Sequence, residues 1–195
     1  GEEAEGQAGE PTEDRPSPPP SPIDLTPESL DVFGEELAFM KELAPIVGRS
    51  PRAIKRYVNL YRLIKATLEQ SDAPLRIEPN ERGDAPADHA VVLLLLGVVT
   101  GLPEISRCFF DAIQDGQQEN EANPDVDPLP APNLEWALDR VGEPSRPAAA
   151  ADLKRLREWL AAYHSGAWLD APLSCFADRA AQVARYSFRV EQRID

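Results

Sequence analysis

Apolar positions along the chain fall into blocks at helical spacing, separated by polar stretches that contain proline. The first block opens at Leu25-Thr26-Pro27. Thr26 is a suitable cap, Pro27 suits a first helical position, and Leu25 with Leu30 can form a hydrophobic staple. Gly34 then separates this short helix from a second one over 35–47, where Leu37, Met40, Leu43 and Ala44 make an apolar stripe. Pro45 kinks or ends that helix, and Gly48 is a natural residue just past its end. Ser50 caps a further helix with Pro51 at its first position. Its core face is Ile54, Tyr57, Tyr61, Ile64 and Leu68. The polar, proline-containing stretch to residue 87 reads as a loop.

Asp88 stands as a cap before the apolar run 90–99, whose periodicity fits a buried helix or a buried strand equally. Helix is the reading chosen, because no other strand candidate exists to pair with it. Leu102-Pro103-Glu104 restarts a helix that runs to about Asp115. Residues 116–133 carry four acids, four prolines and no base, and read as a flexible acidic loop. A short helix follows over 134–141, then one over 148–164 with Leu153, Leu156, Trp159, Leu160 and Tyr163 at core spacing. The last, at about 171–186, buries Leu173, Phe176, Ala180 and Val183. The expected fold is all-α: an irregular multi-helix bundle with a disordered acidic N-terminal segment (1–24), a helical segment (25–70), a loop (71–87) and a C-terminal helical region (88–195).

Charge changes this picture in two places. Residues 1–22 hold six acids, one base and six prolines, with too little apolar surface to offset ordering entropy. The net charge of −14 argues against general binding to nucleic acid or anionic membrane, without excluding a local basic site. Ten apolar residues at 90–99 are too few for the ~20 that span a bilayer, and no signal peptide is evident. Cys108 and Cys175 have no metal-ligand spacing and read as buried or idle thiols in a reducing cytosol, so a cytoplasmic location is expected. The chain starts at Gly1, its one methionine is Met40, and its first residues resemble an interior linker. A fragment of a longer protein is therefore expected.

Candidate chemistry is sparse. The chain has no G-x-x-x-x-G-K-[ST] loop and no G-x-G-x-x-G. His89 and His164 have no zinc spacing. Asp125 and Asp127 sit in a stretch with Pro130 where a calcium loop needs glycine. The exception is "SPRAIKRYVNLYRLIKATL", residues 50–68, which holds five cations and no acid. On a helical wheel with Arg52 at the origin, Arg56 lies at ~40°, Asn59 at ~340°, Lys55 at ~300° and Arg62 at ~280°. This makes a basic and amide strip opposite the core face. Most such strips are solvated surface. Here Arg52 sits in the first turn, where the helix dipole disfavours a cation by ~0.3–1 kcal/mol. Arg52, Arg56 and the free N–H groups of that turn together suit an anion, most often a phosphate. Asn59 can hold a neighbouring loop.

The segment resembles the second-sensor helix in the lid of P-loop NTPases related to the AAA+ and STAND groups, and most of all the KAP-type NTPases. In that family the lid carries a Pro-Arg-x-x-Lys-Arg-x-x-Asn pattern, which Pro51, Arg52, Lys55, Arg56 and Asn59 match in order. "GEELAFMKELAPIVGR", "VVLLLLGVVTGLPEI" and "ARYSFRV" are also similar to segments that follow the NTPase core. The resemblance implies Walker motifs in an upstream nucleotide-binding domain, ATP with its Mg held there, and Arg52 and Arg56, with Lys55 and Asn59 beside them, at the phosphates when the lid closes. The fragment alone would not be a catalyst. It would stabilise charge during phosphoryl transfer and relay nucleotide state to the helices after residue 88.

Two other readings remain. One is a helical interaction module whose strip docks an acidic protein partner or the chain's own acidic tail; a homo-oligomer is a separate possibility. The other is a helix-turn-helix over 35–68 that binds nucleic acid, which the net charge opposes.

Overall fold

The computed structural model describes residues 30–70, 75–76, 86–122, 132–163 and 168–186. The expected helix start at Thr26-Pro27, the segment 1–24 expected to be disordered and His164 lie outside them, as does most of the stretch 71–87 expected to be a loop. Among the described residues there are eight helices and no strand, so the fold is all-α. They are α1 (Gly34–Glu42), α2 (Ala44–Val47), α3 (Pro51–Gln70), α4 (Asp88–Gly101), α5 (Ser106–Ala122), α6 (Leu134–Val141), α7 (Pro147–Tyr163) and α8 (Ser174–Ala184).

The apolar run is a helix, and it is the axle of the molecule. Every residue of α4 from Asp88 to Val98 is buried. Helices α1, α2, α3 and α8 pack around it, while α5 joins α6 and α8, and α7 packs on α2. A helix apolar on all sides needs neighbours on all sides, which explains why its periodicity could not separate helix from strand. Two glycines let α2 lie against its C-terminal end. A Cβ on Gly97 would meet Ile46 Cγ2 at 3.5 Å, an ordinary contact. A Cβ on Gly101 would overlap the Ile46 carbonyl oxygen, so backbone packs on backbone there.

The 35–47 helix is broken at Leu43 into α1 and α2, with Pro45 in the first turn of α2. Its inward stripe differs from the expected one. Leu37 is 45% exposed and Ala44 is exposed, whereas Glu36, Phe39, Met40 and Leu43 point inward. Glu36 is not in the expected stripe, yet it takes a core position because α3 supplies its partners. Phe39 is stacked on Trp168 at 5.6 Å and edge-on to Trp159 at 6.1 Å. The Trp159 indole N–H donates to the Glu42 carbonyl at 2.8 Å, joining α7 to α1.

Further boundaries also moved. Asp88 is the first residue of α4 and makes no cap; Ala87 precedes it, and the carboxylate pairs with arginines instead. Helix α5 starts at Ser106, after a turn over 103–105, and runs on to Ala122, so 116–122 are helical where a flexible loop was expected. Gly116 explains the extension. It is buried where a Cβ would collide with Leu173 and Trp136, so the helix continues because α6 and the start of α8 cover it. Helix α6 begins at its predicted residue, with Asn133 Oδ1 accepting from Trp136 N–H at 2.9 Å.

The outer face of helix α3

Gly48, with φ of 89°, turns the chain out of α2, and the Ser50 carbonyl accepts the Ile54 N–H at 3.0 Å to start α3. The inner face of α3 is buried at Tyr57, Tyr61, Ile64 and Leu68. The Tyr57 hydroxyl donates to the Leu93 carbonyl at 3.1 Å, fastening α3 to α4, and burial pushes that phenol's pKa well up. Ile54, expected in the core, is 44% exposed. Burial of α3 begins only at Tyr57, so the first turn projects from the packed body.

Arg52, Lys55, Arg56, Asn59 and Arg62 are all exposed, and no acid lies in the first turn. None of the five side chains forms a hydrogen bond or ion pair with any described residue. The expected strip therefore exists as one continuous outward face, with no charged partner among the described residues. Asn59 holds no neighbouring loop among them. Leu63, at ~20° on the same wheel, lies within this face and is 48% exposed.

Lys65, the fifth cation of the run, does something different. It is buried and faces the Glu36 carboxylate at 2.9 Å. Its ammonium also donates to the Asp31 carbonyl at 2.9 Å and stands 4.3 Å from the Phe33 ring centre. Tyr61 O–H donates to Glu36 Oε1 at 2.5 Å, and the Phe33 N–H donates to Oε2 at 2.7 Å. Burial raises the Glu36 pKa, but the donors Tyr61, Lys65 and Phe33 N–H outweigh it and leave the carboxyl below its ordinary range. Burial, with Glu36 close by, pushes the Tyr61 phenol up. This cluster fixes 31–36 to α3. A sequence signal for it existed: Lys65 falls at ~220° on the wheel, at the edge of the core face, and Glu36 stands three and four residues before Phe39 and Met40.

A second cluster joins α4 to α8. Asp88 accepts from Arg179 at 2.8 Å and from Arg76 at 2.8 Å. Burial raises its pKa, and the two guanidiniums more than reverse that, holding it below the ordinary value. Both clusters are closed sets of partners, with the character of structural fastenings.

Elsewhere, a shallow cavity of about 390 Å³ is lined by Glu104, Ile105, Cys108, Val141, Ser145 and Arg146. Glu104 and Arg146 pair across it at 2.8 Å. Cys108 is exposed and Cys175 half-buried, so neither is a fully buried thiol, and both are free. Among the described residues no cluster of three or more histidine, cysteine or acidic side chains is placed to hold a metal ion. No helix among them is long and apolar enough to cross a membrane.

Compared with family models, with curated proteins and with solved structures, the chain matches none of them.

Proposed function

We propose that this chain is the helical lid and regulatory region of a P-loop NTPase, and that the outer face of α3 meets the phosphates of a nucleotide held by another domain. The observation that supports this reading is the state of Arg52 and Arg56. Both stand exposed, with no side-chain partner among the described residues, at the acid-free start of α3, on a chain of net charge −14. Cations at a helix N-terminus oppose the dipole, and a bound anion would reverse that cost.

In this reading Arg52 and Arg56 offer planar forks to non-bridging phosphate oxygens. Lys55 adds a point charge. Bound ATP supplies the phosphoryl group, and the residues that hold its Mg belong to the other domain. The inner face of α3 carries any movement of the helix into the body, through Tyr57 bonded to Leu93 of α4 and Lys65 paired with Glu36 of α1. Arg52→Ala, in the protein that includes the nucleotide-binding domain, is expected to abolish hydrolysis or the nucleotide-triggered change while leaving the fold intact. Normal turnover, or no G-x-x-x-x-G-K-[ST] motif elsewhere in that protein, overturns the proposal.

A second reading is favoured by Leu63 and Ile54, which are 48% and 44% exposed on the projecting side of α3. Apolar residues beside cations that have no partner among the described residues suit a docking surface for an acidic protein partner. In that case Leu63→Ser weakens partner binding, and phosphate compounds leave the α3 resonances unmoved. Duplex nucleic acid ranks below both readings, because the net charge repels a polyanion.

A further inference from the structure

We propose that the acidic segment preceding Leu30, residues 1–29, docks on the outer face of α3 and covers it in the free chain. The occupant is argued from charge, from where the described chain begins, and from reach.

The face holds Arg52, Lys55, Arg56 and Arg62, exposed and without partners among the described residues. A second copy docking face to face would set like charges opposite one another, which is unfavourable. Residues 1–29 carry eight acids and one base, with Glu10, Glu13 and Asp14 close together. The sign is complementary and the charges are sufficient in number.

The described chain begins at α3 itself. Lys65 holds the Asp31 carbonyl at 2.9 Å and stands over Phe33. Lys65 is ~60° around the helix from Arg62. Thirteen residues along α3, from Lys65 to Arg52, make ~20 Å, whereas 29 residues can span up to ~95 Å. A tether of this kind presents its acids at an effective concentration of order millimolar, enough for individually weak surface ion pairs to add up. The other end of the chain provides a control. Tyr186 also meets α3, its hydroxyl 3.2 Å from Thr67 Oγ1, but residues 187–195 carry two acids and two bases. The two terminal segments leave from one helix, and only the first has the charge to cover the basic face.

The consequence is a competition. Any anion or acidic partner that reaches α3 must displace the segment, so salt and external polyanions control access to the face. The inference needs only the basic face and does not depend on a nucleotide.

The test uses the full chain carrying a nitroxide at Ala8→Cys, with Cys108→Ser and Cys175→Ala, and reads amide intensities by NMR at low ionic strength. Amides of 52–63 are expected to lose at least half their intensity. They should recover at about 1 M salt, where screening acts within ~3 Å. They should also recover in the Glu10→Gln/Glu13→Gln/Asp14→Asn variant. Unchanged intensities over 52–63, or losses that survive both treatments, overturn the proposal. So does a loss seen only between mixed labelled and unlabelled copies, which would place the segment of one molecule on another. Because no nucleotide is present, failure here leaves the lid reading to be decided by turnover of Arg52→Ala.

Discussion

Helices α3 and α4 lie side by side and put their residues to opposite uses. Helix α4 is buried from Asp88 to Val98 and has no side left for anything but the fold. Helix α3 buries one side and leaves the other exposed, cationic and unpartnered among the described residues. A helix surrounded by its own protein tells the reader about stability, and one with a face to spare is where a partner can be sought. The division runs through α3 as well. Lys65 and Arg62 are three residues apart and both cationic, yet the first is a core residue and the second a surface one.

That division can be broken from the inside first. Lys65→Ala leaves the Glu36 carboxylate buried without its counter-charge and is expected to cost ~3–5 kcal/mol, measured by denaturant unfolding. A loss under ~1 kcal/mol would mean that Tyr61 and the Phe33 N–H satisfy Glu36 by themselves. Next in size is Gly101→Ala on α4, where the new Cβ meets the Ile46 carbonyl. Overpacking against backbone is expected to cost ~1–3 kcal/mol, read as a fall in unfolding midpoint. An unchanged midpoint would show that α2 can move away from α4.

Acid should reach the same fastenings. Glu36 and Asp88 both have folded-state pKa values below their ordinary 4.5 and 3.8. Each contribution is therefore complete above the ordinary value and is lost as pH falls through the lower, folded one. Stability is expected to be level with pH above 5 or so and to decline on the acid side, and Glu36→Gln should flatten part of that decline. The smallest effect belongs to the outside. Arg52→Gln with Arg56→Gln should change stability by no more than ~0.5 kcal/mol, while any function of the face is lost. A large destabilisation would show that these arginines serve the fold.

The sequence made much of this legible. Helix α6 lies where the sequence places a short helix, near 134–141, and 90–99 is a helix, as the lack of any strand to pair with it implies. The basic face of α3 followed from its wheel. What escaped were features fixed by distant contacts. Glu36 in a core stripe makes sense only once Lys65 and Tyr61 are beside it, 25 to 29 residues away. The continuation of α5 through Gly116 depends on Leu173 and Trp136, and Asp88 was read as a local cap because Arg179 is 91 residues on. Ile54 was placed in the core by its wheel position, which says nothing of where the neighbouring helix ends.

The packing of Phe39 between Trp168 and Trp159 has a practical side. These are two of the chain's three tryptophans, and both are buried, with α1 forming one wall of their surroundings. Should α1 lift away with α3 when something binds, water would reach both indoles and their emission would shift to the red. The protein carries its own optical gauge of that movement, readable without a dye.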